Sequence, residues 1–247
     1  MNSSNPVHYL PVITTIVAVM FTTILIQKWR EKPDAKYLLW WAIGVAAYGV
    51  GTLTEALTTV FGWSEPVFRA WYISGALLGG APLATGTVFL MLSRRRATWI
   101  ASIAAVYVAV ASFFILVAPI DASAVDPHRL SGQVFEWQWV RLFSPLINLY
   151  AVVFLIGGAL LSAWRYWRRD GAGAMVIGNL LIAVGAILPG IGGTYARLGH
   201  IEVLYVTELV GLSLIWLGSI VIGRASAASV HEAQLRSQAS SAGAIAS

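Results

Sequence analysis

Seven apolar runs, each near the length that crosses a bilayer, dominate this sequence. They cover residues 10–27, 37–62, 67–92, 98–119, 142–164, 173–191 and 202–223. A hydrocarbon core is spanned by ~20 apolar residues in a helix or by ~9–11 alternating residues in a barrel strand. These runs are continuously apolar, so they predict helices. Of 247 residues, 58% are hydrophobic and 11% charged, and the mean hydropathy is +0.74. A water-soluble fold lacks the polar surface to cover that excess. The expected fold class is all-α: an integral membrane bundle of seven transmembrane helices. Residues 1–9 form a short outer terminus, 10–223 the membrane domain and 224–247 a cytoplasmic tail without fixed structure, rich in Ala and Ser.

The direction of the bundle follows from its basic residues. Lys28, Arg30, Lys32, Lys36, Arg94, Arg95, Arg96, Arg165, Arg168, Arg169, Arg224 and Arg236 all fall on one side of the alternating spans. Only Arg69, Arg129, Arg141 and Arg197 fall on the other. The positive-inside rule places the first group in the cytoplasm, with the N-terminus outside and the C-terminus inside. The flank before the first span carries no basic residue, so that span is retained rather than cleaved as a signal peptide. The net charge of +5 is thus a topology signal, and no nucleic-acid partner is expected. Membrane lipids are the expected surroundings, in a bacterial cytoplasmic membrane. Trp29, Trp40, Trp41, Trp63, Trp99, Trp164 and Trp167 lie near span ends, where interfacial anchoring is expected. The one long outer loop, 120–141, reads as an interfacial helix or as an outward extension of the fifth span.

Several chemistries are excluded by residue type. Cysteine is absent, which removes disulfides, thiolate nucleophiles and cysteine-held metal clusters. Lys28, Lys32 and Lys36 are the only lysines and share one loop, so no Schiff base forms within the bundle. His8, His128, His200 and His231 lie outside the spans, which leaves no axial ligands for a buried haem. The outer histidines lack ligand spacing even with Glu202, so no metal is expected. There is no Walker loop, zinc-protease motif or nucleophile elbow. No cofactor is expected, and the chain is not expected to be an enzyme.

Two carboxyl groups break the apolar pattern. Glu55 lies in the second span and Glu208 in the seventh. An ionisable side chain at such a position costs at least ~2.5 kcal/mol and faces a bundle interior or a watery cavity. Counting from the outer ends of their spans, Glu55 lies ~12 Å deep and Glu208 ~9 Å deep at 1.5 Å per residue. Gly44, Tyr48, Gly51 and Glu55 share one helical face, as do Tyr205, Glu208 and Gly211. Glycine beside a polar side chain leaves room for a neighbouring helix or for a ligand. Gly75 and Gly79 in the third span form a GxxxG pair suited to close packing. Arg69 and Arg141, at the outer starts of spans three and five, are expected to reach the acidic pair, with Asn148 two turns deeper than Arg141. Two readings stand: an ion-pair network that ties helices together, or an outward pocket for a small polar ligand or a proton.

The second span reads WWAIGVAAYGVGTLTEAL, the third FRAWYISGALLGGAPLATGTVFL, the fourth-span region ends in DPHRL, and the sixth reads GNLLIAVGAILPGIGGTYARLG. Over about 10–223 this pattern resembles the seven-helix N-terminal sensor region of bacterial membrane histidine kinases. The resemblance implies a bundle that senses a ligand or the membrane state and passes a signal inward. It adds Trp71 and Tyr72 to the candidate site, and Tyr48, Glu55, Pro82, His128, Pro189 and Tyr195 also fall on motif-like positions. The sequence departs from the pattern before the seventh span, where HIEVLYVTEL replaces an acidic–threonine–proline element. No kinase module follows, so the implied role needs a separate cytoplasmic signalling partner. The candidate ligand-binding residues are Tyr48, Glu55, Arg69, Trp71, Tyr72, Arg141, Asn148, Tyr205 and Glu208. A transporter for a small solute or proton, gated at Pro189, Gly190, Gly192 and Gly193, is the main alternative. A membrane-embedded lipid-modifying enzyme is the other.

Overall fold

The computed structural model describes residues 6–127, 129–169 and 171–245, and over 230–245 it describes the helical backbone. His128 of the DPHRL element lies outside the described residues. Among the described residues nine α-helices follow in order: α1 Leu10–Glu31, α2 Lys36–Phe61, α3 Glu65–Trp71, α4 Ala81–Met91, α5 Arg94–Val117, α6 Phe143–Ala151, α7 Gly157–Trp167, α8 Gly173–Arg197 and α9 Ile201–Ile245. They build seven helices long and apolar enough to cross a membrane. The third span joins α3 to α4 through a π-helical turn, Tyr72–Leu77, and the fifth joins α6 to α7 through another, Val152–Ile156. Among the described residues there is no strand, only the isolated bridges Ile120–Phe135 and Asp126–Arg129.

Small residues set which helices meet. On α8, Gly178 and Gly185 lie seven residues apart and face Gly218 and Gly211 of the antiparallel α9. A Cβ on Gly185 would stand 2.5 Å from the Gly211 carbonyl, and one on Gly178 would stand 3.0 Å from that of Gly218. Backbones at that separation exchange dispersion contacts along two turns, the main attraction between helices in lipid. Gly44 on α2 takes the side chain of Leu83, and Gly51 takes the backbone of Gly75. Both glycines therefore admit a neighbouring helix.

The long connection 118–142 folds down onto the helix ends. Its three short 3-10 turns, Ala122–Ala124, Gly132–Val134 and Gln138–Leu142, bring Val134, Phe135 and Val140 to 0% exposure. The Phe135 ring sits 5.0 Å from Phe68 and 5.0 Å from Tyr72. The interfacial helix expected here is absent, because its alternate apolar residues are buried by the bundle. The Gln138–Leu142 turn does lengthen the fifth span outward. At the rim, the Ser123 hydroxyl and then its N–H donate to Asp121 Oδ1, holding that carboxyl below the usual range.

Two of the tryptophans expected to anchor the boundary are half-buried and make contacts within the bundle. Trp41 donates to the Leu83 carbonyl at 3.2 Å and fills the space beside Gly86. Trp63 packs on Phe68. Trp99, Trp164 and Trp167 are exposed near the basic end. The seventh span also runs past residue 223 as one helix to Ile245, where a tail without fixed structure was expected. The run ASAASVHEAQL contains many good helix formers and no glycine or proline, so nothing in it stops the helix.

Candidate functional site

Trp71 is the last residue before the π-helical turn of the third span. Its indole Nε1 donates to Glu55 Oε1 at 3.0 Å. The local packing explains the reach. Gly51, one turn before Glu55, lets the turn at Ser74 and Gly75 lie directly against α2. Glu55 itself is 4% exposed. On the other side stands Glu208 of α9, its carboxyl group beside that of Glu55. The two carboxyl groups thus lie at a shared depth.

Two ionised carboxylates have only acceptors to offer each other. Glu55 Oε2 and Glu208 Oε2 are both buried, and no protein donor reaches either. The contact becomes a hydrogen bond only when one group carries a proton. Among the described residues no lysine, arginine or histidine pairs with either glutamate. Such a pair can share a proton or hold another positive charge.

Two tyrosines complete the frame. Tyr48 of α2 donates to the backbone carbonyl of Glu208 at 3.0 Å, which locks α2 to α9 at the level of the pair. Tyr205, one turn earlier on α9, is 4% exposed and its hydroxyl lies near that of Thr59. Thr59 in turn donates to the Glu55 carbonyl at 3.0 Å. Thr59 was not singled out in the sequence, although it stands at i+4 from Glu55 on the same face. Above Tyr205, His8 approaches Glu202 at 3.7 Å and sets its ring edge-on to Tyr205 at 6.1 Å. His200 lies instead against Tyr195.

No family model, curated protein or solved structure matches the chain.

Four of the nine candidate residues lie away from the pair. Arg69 donates to Glu65 Oε1 and to the carbonyls of Ile115 and Ala118. Its stem is long enough to reach inward, but the unpaired carbonyls at the end of α5 lie closer. Arg141 donates to Gln138 Oε1 at 2.6 Å and lines the space beside Gly132 and Tyr72. Tyr72 belongs to the aromatic core with Phe68 and Phe135, its hydroxyl 3.5 Å from Ser144 Oγ. Asn148 is exposed and its amide has no partner among the described residues. The arginines expected as counter-ions are thus withdrawn, which leaves the carboxyl pair uncompensated by protein charge.

Two cavities lie elsewhere. One, of about 360 Å³, runs between α5 and α6 beside Ile103, Tyr107, Ile147 and Tyr150. The second lies at the basic end of α5. Neither includes Glu55 or Glu208. In α8, Gly192 is packed against Leu204 and Thr207, whereas Gly190 and Gly193 have open space beside them.

Proposed function

We propose that this protein is a non-enzymatic multipass membrane sensor whose input is a proton taken up between Glu55 and Glu208. The observation that carries this reading is the juxtaposition of two carboxyl groups, one of them almost fully buried, with no cationic side chain paired to them among the described residues. A proton needs no cavity of its own, whereas a larger organic ligand does. With the proton in place, the hydrogen bond draws α2 and α9 together. Without it, two negative charges repel across a medium of low dielectric.

The output runs along α9. Glu208 and Tyr205 stand near the start of a helix that continues unbroken for 45 residues to Ile245. A shift of α9 against α2 at the glutamates therefore moves the helix beyond Arg224, where a separate signalling protein is to read it. The bundle sits with that end in the cytoplasm of a bacterial cell, as its charge asymmetry favours. The resemblance to histidine-kinase sensor regions supports the same role.

The test is a distance measurement on spin labels at Lys32→Cys and Ala227→Cys in lipid nanodiscs. The distance should differ between low and high pH in the parent and be constant when Glu208→Gln is added. An unchanged distance in the parent removes the sensor reading. Proton flux through proteoliposomes that Glu55→Gln abolishes would put the transporter reading in its place.

A further inference from the structure

Helix α5 buries Ala97, Ala101, Ala111 and Ile115 on one side and turns the opposite side away from the bundle. Along its axis that outer side changes chemistry in a fixed order. Arg94 and Arg95 come first, then Trp99 and Ser102, then Val106, Val110 and Phe113, all of them exposed. At 100° per residue these positions share one half of the helix.

The upper part is a cleft of about 590 Å³ lined by Arg94, Arg95, Thr98, Trp99 and Ser102. Its donors are free. Neither guanidinium, nor the Trp99 indole N–H, nor the Ser102 hydroxyl has a partner among the described residues. The other basic end behaves differently, since Arg168 lies 4.2 Å over the Trp164 ring and Arg169 stacks on Tyr166. Distances along the axis complete the match. Arg94 to Ser102 covers ~12 Å, and Ser102 to Phe113 a further ~16 Å, about half of a 30 Å hydrocarbon core.

We propose that this face of α5 binds an anionic phospholipid from the leaflet on the basic side. Its phosphate lies between the Arg94 and Arg95 guanidiniums, which suit phosphate oxygens in a way a point charge does not. An ester oxygen accepts from Ser102, the Trp99 ring lies at the boundary, and the acyl chains follow Val106, Val110 and Phe113. A second copy of the chain in the same membrane orientation would bring its own arginines against these, so like charges oppose that occupant.

The experiment follows thermal unfolding of the full chain in neutral detergent, with phosphatidylglycerol, phosphatidylcholine or inorganic phosphate added. Phosphatidylglycerol should raise the midpoint, and the other two should leave it unchanged. Arg94→Gln with Arg95→Gln should abolish the rise, whereas Arg168→Gln with Arg169→Gln should keep it. Ser102→Ala, which disturbs no internal bond, should reduce it and serves as the readout if the double arginine variant folds poorly. An equal loss from the Arg168 and Arg169 changes would show diffuse charge attraction and overturn the proposal. So would a rise with inorganic phosphate alone, or a full rise retained in both the Arg94/Arg95 and the Ser102 variants.

Discussion

The Trp71 indole N–H and the Glu55 carboxyl are hydrogen-bonded at 3.0 Å, and this bond joins the third span to the second at the point where the third turns π-helical. It engages Oε1 and leaves Oε2 without a protein donor, so one side chain orients the Glu55 carboxyl. Trp71→Phe keeps the ring and removes only the donor. The buried oxygen then loses its partner, at a cost of about 1–3 kcal/mol. Thermal unfolding in detergent should show a lower midpoint, with helix content unchanged.

The carboxyl pair should make stability fall as pH rises. A hydrogen bond between the two groups exists only while one of them holds a proton, so its contribution is present at low pH and lost as both ionise. Glu208→Gln replaces that proton with a permanent amide donor. The unfolding midpoint of the parent should decline with rising pH, and the variant should lose that part of the decline. Equal slopes would show that the contact plays no part.

The glycine seam between α8 and α9 separates two kinds of position on one helix. Gly185→Ala places a methyl group 2.5 Å from the Gly211 carbonyl, so the helices must part, at about 1–3 kcal/mol. Gly190→Ala meets nothing within 4 Å and gains helix propensity. The first should lower the unfolding midpoint and the second should hold or raise it.

The absence of cysteine makes topology directly measurable. Single cysteines at Asp121 and Arg168 should react with an impermeant maleimide from opposite sides of the membrane. On intact cells only the Asp121→Cys variant should be labelled. The reverse pattern would invert the bundle.

The spans were legible because continuous apolar runs have one stable form in lipid, and their observed bounds lie within a few residues of those expected, apart from longer ends at Arg197 and Ser229. Glu55 and Glu208 were legible for the same reason: a charge in such a run must face inward. What helical spacing alone did not give was the partner of each inward face. Arg69 had the right depth but stands closer to the end of α5 than to the glutamates. Glycines on α2 were compatible with a ligand or a helix, and only Leu83 and Gly75 decide between them. The seam of Gly178, Gly185, Gly211 and Gly218 was present at seven-residue spacing, yet its meaning needs two helices side by side. The burial of Phe135 depends on a loop whose path no periodicity describes.

The shared proton is the centre of this account, and infrared difference spectroscopy of the protein in lipid observes it most directly. A pH step should reveal a protonated-carboxyl C=O band that is lost on ionisation, shifts in deuterated water, and disappears in both Glu55→Gln and Glu208→Gln. A band that survives unchanged in both variants, or none at all in the parent, would contradict it.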